Sequence, residues 1–331
     1  MKNFGVSLSV VAIVAAICAC GCNRDRREDS TDEKTIGFSV LTMKNPFFKD
    51  LADDVTAAAK KHGYRVIVVN AELKEATQDN QILDFISNKV NAIILNPVNS
   101  KSVGESIKRA NKAGIPVFTC DIKSLAPDAE VVCHVATDNY SGGRLAARAV
   151  MEATGNKGKV AIIDYPEVES VIQRVQGFKD ELKETKSPIE IVKILPAGGD
   201  RAESFKVAKD ILTSVPDLNA IFAINDPTGL GAYAALKAEG REKDIQIIAF
   251  DGMPEGKYAI KQGHIYADAV QSTRLIAEGV VDAVIKHSEG EDVPKEKLIP
   301  TTLYRKADAD KDPTLTEYVE PAATTKPDET E

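Results

Sequence analysis

Two stretches of this chain repeat one pattern, and the repeat confines the fold more than any other feature. Asn219–Pro227 reads Asn-Ala-Ile-Phe-Ala-Ile-Asn-Asp-Pro, and Asn91–Pro97 reads Asn-Ala-Ile-Ile-Leu-Asn-Pro. Ile245–Asp251 and Ile115–Asp121 form a second matching pair. Each piece is a short apolar run that stops abruptly at Asn or Asp. The chain between the later two runs, Thr228–Gly240, has helical periodicity, so each copy reads as strand, helix, strand. Asn96 stands 25 residues before Asp121, and Asn225 stands 26 before Asp251. Parallel sheets bind ligands outside the carboxyl ends of their strands. Two such sheets facing each other would close Asn96, Asp121, Asn225 and Asp251 on one small molecule.

The same alternation runs through most of the chain. Strands are expected at Thr35–Leu41, Arg65–Val69, Val131–Ala136, Lys159–Asp164, Ile189–Leu195, Tyr266–Val270 and Thr301–Tyr304. Helices are expected up to His62, at Asp79–Asn88, Ser102–Ala113, Tyr140–Ala153, Ser170–Lys186, Ala202–Thr213, Pro254–Gln262 and Thr273–His287. A βα alternation implies an α/β fold of parallel sheets with helices on both faces. A length of 331 residues leaves room for two domains of ordinary size.

Composition removes several functions. A net charge of −8 disfavours nucleic acid, whose phosphates call for a basic excess. The four histidines, His62, His134, His264 and His287, lack metal-ligand spacing. There is no Gly-x-Ser-x-Gly elbow and no Gly-x-x-x-x-Gly-Lys loop. No Gly-x-Gly-x-x-Gly opens the first helix, and Gly229-Leu230-Gly231 lies inside an expected helix. No catalytic residue, metal or cofactor is therefore expected. Of the five cysteines, only Cys120 and Cys133 fall in the body of the chain, as one disulfide or as two core thiols.

The N-terminus has its own logic. Val6–Ile17 is apolar except for Ser7 and Ser9, too short to span a membrane and of signal-peptide proportions. Its end, Ile17-Cys18-Ala19-Cys20, resembles a bacterial lipoprotein signal, with Cys20 the acceptor and Cys22 the alternative. Cleavage after residue 19 would remove Lys2 and leave a net charge of −9. Residues 20–33 read as a polar, disordered tether, and residues 307–331 as a disordered acidic tail.

Six motifs in order carry a resemblance over Lys34–Lys306. They are Asn45-Pro46-Phe47-Phe48, Leu95-Asn96-Pro97, Val135-Ala136-Thr137-Asp138-Asn139, Gln173-Arg174-Val175-Gln176-Gly177-Phe178, Phe222-Ala223-Ile224-Asn225-Asp226 and Phe250-Asp251-Gly252. The chain resembles the ribose-binding-protein group of periplasmic sugar-binding proteins, the type I receptors of ABC importers. The resemblance implies two Rossmann-like lobes joined by a three-strand hinge and closing on a sugar. The lobes would be residues 34–137 plus 272–300, and residues 138–271 plus 301–306. It also implies hydrogen bonds to the sugar from Asn45, Asp121, Arg174, Asn225, Asp251 and Gln271, with Phe47 and Phe48 flanking its ring. That chemistry suits a sugar. Carboxylates accept hydroxyl protons, amides donate and accept, Arg donates in a fork, and C–H faces pack on aromatic rings. Taken singly, Asn45 reads equally well as a helix cap, Arg174 as a surface cation, and the two aspartates as strand-to-loop residues.

Two positions depart from the ribose pattern. Ile122 stands where the group has Arg, and Gly199 where it has a covering Phe, with Tyr165 or Lys123 as substitutes. Together the departures would weaken ribose about a thousandfold, roughly 4 kcal/mol. The implied partners are a small neutral sugar or polyol, an ABC transporter permease, and the membrane through the lipid anchor, with the protein a periplasmic or cell-surface monomer. A sensor presenting its ligand to a chemoreceptor or kinase is the alternative. A transcription regulator of the same fold would carry a helix-turn-helix where this chain has its apolar run and acidic tether.

The apolar run makes a testable statement. Mass spectrometry of the mature protein is expected to find an acylated Cys20 as the first residue, three acyl chains exceeding the two signals stable anchoring requires. An unmodified N-terminus beyond Cys22 would contradict it.

Overall fold

The computed structural model describes residues 34–316, together with Met1 and Tyr318. The expected signal peptide, its cysteines and the tether lie outside the described residues, as does the end of the tail.

In chain order the elements are β1 (Thr35–Val40), α1 (Pro46–Lys60), β2 (Arg65–Asn70), α2 (Glu75–Ser87), β3 (Ala92–Leu95), α3 (Gly104–Lys112), β4 (Val117–Cys120) and β5 (His134–Thr137). There follow α4 (Asn139–Thr154), β6 (Lys159–Asp164), α5 (Glu169–Glu184), β7 (Glu190–Pro196), α6 (Arg201–Ser214), β8 (Ala220–Ala223), α7 (Asp226–Ala238), β9 (Gln246–Asp251), α8 (Pro254–Gln262) and β10 (Ala267–Val270). The chain ends with α9 (Thr273–Ser288), β11 (Glu296–Ile299), β12 (Thr302–Arg305), α10 (Lys306–Ala309) and a 3-10 turn at Pro313–Leu315.

These strands form two six-stranded sheets, ordered β11-β5-β4-β3-β1-β2 and β12-β10-β9-β8-β6-β7. Each lobe thus repeats one doubly wound order, with its first strand between the second and third. The short apolar runs are buried along their whole length, as strands covered by helices on both faces must be. The asparagines that open the repeated runs have a structural task. Asn91 Oδ1 accepts the Thr35 N–H at 2.7 Å, and Asn219 Oδ1 accepts the Lys159 N–H at 2.8 Å. Each fixes the start of its lobe's first strand, β1 or β6.

The chain passes between sheets three times, after β5, after β10 and between β11 and β12. At the first two passages the next helix is capped at once. Asp138 accepts from the Ser141 N–H, and Ser272 from the Leu275 N–H, so α4 and α9 start within a residue or two of the passage.

Several expectations need correction. The sheets are not wholly parallel, because β12 runs antiparallel to β10, with Val270 opposite Thr302. A crossing strand that enters from the other lobe has no crossover helix to force parallel pairing. Strand β11 was not anticipated, since Glu-Lys-Leu-Ile has neither an apolar run nor clean alternation. Helix α2 begins at Glu75, four residues before Asp79. The tail is ordered further than residue 306: Ala309 and Leu315 are buried in the core of the second lobe, anchored where single apolar residues among acids gave no periodic signal. Cys120 and Cys133 are free, buried thiols.

Helix α5 is set by close approach to α4. A Cβ on Gly143 of α4 would collide with the Arg174 carbonyl, and one on Gly177 of α5 with the Tyr140 carbonyl. Behind the contact, Phe178 stacks on Phe222 of β8 at 4.8 Å. A methyl added at Gly143 must therefore push α5 and Arg174 outward. Overpacking of this kind costs about 1–3 kcal/mol. Gly143→Ala is expected to lose that much in urea unfolding, whereas Gly155→Asn, at an open left-handed position, is expected to lose well under 1 kcal/mol. Equal losses would contradict the close-packing account.

Candidate ligand-binding cleft

A cavity of about 220 Å³ lies between the two lobes, below the roughly 300–1,000 Å³ of sites for drug-sized ligands and so suited to a small one. Asn45, Phe47, Phe48, Asp121, Arg174, Asn225, Asp251 and Gln271 all line it. The structure brings together every residue the resemblance pointed to.

Local rules explain their positions. Asn45 caps α1, with Oδ1 accepting the Phe47 N–H at 3.0 Å and Pro46 following in the first turn. Asn225 caps α7 in the same way, with Oδ1 accepting the Thr228 N–H at 2.9 Å and the Thr228 hydroxyl at 2.5 Å. Both caps leave the amide NH₂ as donor. That of Asn225 reaches the Gly199 carbonyl at 3.2 Å, and that of Asn45 faces the Asp251 carboxyl and favours its ionised form. The capping reading and the cavity reading thus hold together at both asparagines. Phe47 and Phe48 meet edge to face at 5.3 Å, and both belong to the core while lining the cavity.

The aspartates sit where strands end in backbone that side chains rarely adopt, Asp121 at φ 61° and Asp251 at φ 113°. Backbone of this kind costs on the order of 1–3 kcal/mol and clusters at functional sites. Arg174 is 4 % exposed. Its Nε donates to Asn139 Oδ1 at 2.8 Å, and its Nη1 to the Ile224 carbonyl at 2.6 Å and to Asp251 Oδ1 at 3.4 Å. The guanidinium carbon lies 3.7 Å from the centre of the Phe250 ring. Gln271 donates to Asp251 Oδ1 at 2.8 Å. Asn139, which orients Arg174 without lining the cavity, was visible only as part of a motif.

Charge follows burial. Burial pushes the Asp121 carboxyl up to about 7, opposed by Arg174 and assisted by Asp251 and Glu169. Burial also raises Asp251, against the pull of Arg174, Gln271 and Asn45. Asp121 Oδ1 and Gln271 Oε1 are buried without a hydrogen-bond partner. Buried acceptors are seldom left so, and two facing one cavity mark groups that a donor satisfies.

Some expectations do not hold. Asn96 does not line the cavity. It is fully buried behind Asp121, where its amide donates to the Cys120 carbonyl. Asn45 takes the place given to it, because the loop after β1 reaches the cleft while the end of β3 turns beneath. Lys123 pairs with Glu296 at 2.7 Å and is no substitute for the missing cation. Tyr165 does line the cavity, and its ring lies 3.5 Å from where a Cβ on Gly199 would stand. Ile122 lines the first-lobe side. Sequence reasoning missed Leu230 and Met253, apolar wall residues, and the Arg201–Glu255 ion pair of 2.6 Å at the rim. None carries a signal outside the fold. The lobes also touch across the cleft: Glu169 N donates to Ser100 Oγ at 2.9 Å, and Ser100 N to the Glu167 carbonyl at 3.1 Å.

Comparison with known proteins gives a consistent picture. Residues 36–292 match the periplasmic binding protein domain family. The ribose import binding protein of Escherichia coli K12 is 32% identical over 294 residues, which span 88% of this chain and 95% of that protein. A D-apiose import binding protein of Paraburkholderia graminis is 32% identical over 272 residues, 81% of this chain and 86% of the other. An ABC transporter solute-binding protein of Agrobacterium vitis, solved with α-D-tagatopyranose, superposes with a TM-score of 0.80 at 26% identity. That match covers 87% of this chain and 99% of the other.

The unpaired Asp121 carries a pH prediction for the ligand-free protein. Its folded value lies roughly 3 units above the unfolded 3.8, so the carboxyl favours the fold only while protonated. Stability falls as pH rises from about 4 to about 7, by about 4 kcal/mol at the limit. Asp121→Asn removes this loss and tolerates the left-handed backbone. The variant is expected to be more stable than the parent by a few kcal/mol at pH 8, and by much less at pH 4, in urea unfolding. No gain at pH 8 would contradict it.

Proposed function

The chain belongs to the periplasmic binding protein domain family, among the sugar receptors of ABC importers, and on that premise we propose that it captures a small neutral sugar or polyol between its lobes and delivers it to an importer permease. Members of the family bind substrates and do not turn them over, so the chain is not an enzyme. Its place is periplasmic, and the lipoprotein-like N-terminus adds tethering through Cys20, or through Cys22.

The observation that carries the proposal is the convergence of Asp121 from the first lobe with Arg174 and Asp251 from the second on one cavity holding two unpaired buried acceptors. Ligand hydroxyls supply the missing donors, and Arg174, the asparagines and Gln271 supply the rest. Phe47, Phe48 and Tyr165 provide ring faces. An ionic ligand fits less well, since two carboxylates and one guanidinium already share the floor. The closing lobes are residues 34–137 with 272–300, and residues 138–271 with 301–316, a division supported by the strand membership of the two sheets. Only the closed arrangement brings both lobes to the ligand, so ligand draws the equilibrium toward it.

Tyr165 bears on the choice of sugar. Standing beside Gly199, it restores part of the wall that glycine opens, and the main remaining departure from the ribose pattern is Ile122. An apolar surface in place of a cationic donor forfeits about 1.5–3 kcal/mol toward a hydroxyl, or roughly 10- to 150-fold in affinity. A C–H edge or a deoxy position suits it better.

Calorimetry against pentoses, hexoses, deoxysugars and polyols is the test. A hexose, deoxysugar or branched polyol is expected to bind at least about tenfold more tightly than ribose, and scattering to show compaction at saturation. Submicromolar ribose binding, about −8 kcal/mol or better, overturns the reading of Ile122. Failure of every sugar and polyol overturns the proposal itself.

A further inference from the structure

Two carboxyl groups stand together at the cavity floor: Asp226, which lines the cavity and stood in the sequence only as part of a motif, and Asp268, which does not line it. Asp226 opens α7, and Asp268 lies within β10. They are 2 % and 0 % exposed, and they are drawn side by side because each takes one of two adjacent backbone N–H groups. One oxygen of each accepts a backbone N–H from the turn that follows Asp251. Gly252 N donates to Asp268 Oδ2 at 3.0 Å, and Met253 N to Asp226 Oδ2 at 2.7 Å. The other oxygen of each, Oδ1, is buried with no donor.

Two ionised carboxylates can only accept. Side by side in a low-dielectric interior they repel, and one of them takes up a proton. There is no room for much else: a Cβ on Gly256 of α8 would run into the Asp226 carboxyl group. The charged and titratable groups on the surrounding elements are engaged elsewhere. Asp251 and Arg174 face the cavity and each other. Glu255 of α8 pairs with Arg201 of α6, and Lys257 lies over the Tyr304 ring. Tyr304 of β12 donates to Asp312, and Arg144 and Arg148 of α4 pair with Glu181.

We propose that Asp226 and Asp268 share one proton at neutral pH, and that this carboxylic acid–carboxylate pair is the positioning device that holds Asp251 into the cavity. The turn it grips needs holding. Asp251 and Gly252 both lie at positive φ, and a side chain at 252 would collide with Val270. Two N–H groups bound to one buried pair fix the turn from below. Burial sets the proton's range: it pushes Asp268 up to about 7 although the Asp226 contact lowers it, and it raises Asp226, with Asp268 adding to the rise, well beyond the usual carboxylate range. Both shifts are upward, so the pair's contribution is full below about pH 4 and is lost as pH rises from there through about 7. That Asp251 holds ligand rests on the proposed function; the pair itself does not.

The test uses the full chain without added sugar. In Asp268→Asn, Oδ1 still accepts the Gly252 N–H and the amide donates to Asp226, replacing the shared proton. In Asp268→Ala both contacts are gone. Infrared difference spectra at pH 7 are expected to show a protonated-carboxyl carbonyl band in the parent that Asp268→Asn lacks, with Asp121 cancelling between the two. Hydrogen exchange at Gly252 and Met253 is expected to stay within about threefold of the parent in Asp268→Asn, and to rise about tenfold or more in Asp268→Ala. The fall in Tm between pH 5 and pH 8 is expected to be shallower in Asp268→Asn. Three results overturn the proposal: an unchanged band, an Asn variant as damaged as the Ala variant, or calcium or magnesium raising the Tm of the parent but not of Asp268→Asn. Because none of these readouts involves a sugar, their failure leaves the ligand assignment standing. If Asp268→Ala does not fold, the parent and Asn comparison still decides.

Discussion

The guanidinium of Arg174 lies buried against the Phe250 ring, and the carboxylates of both lobes are arranged about its charge. Burying a cation costs several kcal/mol unless its donors find partners. Here Asn139, the Ile224 carbonyl and Asp251 take up Nε and Nη1, so the cation is fixed in place before any ligand arrives. Its position depends on backbone packing, because Gly143 and Gly177 let α4 and α5 approach closely enough to set it over the ring. Asp251 is held against it by Gln271. Asp121 faces it from the other lobe and feels its pull only at a distance.

The cleft is economical in how it uses local structure. Asn45 and Asn225 each spend the carbonyl of the side chain on a helix start and keep the amide for the cavity. A helix cap is rigid because the backbone it serves is rigid, so the donor that remains is aimed without further support. The two caps are not equivalents in the repeat, since Asn45 follows β1 and Asn225 follows β8. Each lobe needs a strand, a capped helix at its carboxyl end and a terminal Asp, and the doubly wound sheet supplies all three at one edge.

Strain and unsatisfied polarity gather at the same place. Asp121 and Asp251 occupy positive φ, and Asp121 and Gln271 each keep a buried acceptor idle. In the empty protein these features weaken the closed cleft. A ligand that donates to the idle acceptors removes part of the cost and so stabilises that arrangement over any open one. The Asp226–Asp268 pair, of which Asp226 also lines the cavity, completes the support of the Asp251 turn.

The sequence alone determined the class of fold and nearly all of its helices and strands, because apolar runs ending in Asn or Asp and helices of period 3.6 are local patterns written into neighbouring residues. It also pointed, through a resemblance carried by motifs in order, to eight residues that all line the cleft. It did not determine which strand-end residue points inward. Asn96 and Asn45 both follow strands and both precede Pro, yet only Asn45 reaches the cavity, since the twist of the sheet and the loop after β1 decide the direction. Strand β11, the antiparallel direction of β12 and the docking of Ala309 and Leu315 were equally invisible, because each is decided by a partner distant in sequence. The joining of Asp226 to Asp268, forty-two positions apart on α7 and β10, was decided only when the tertiary structure buried both and left them one another for company.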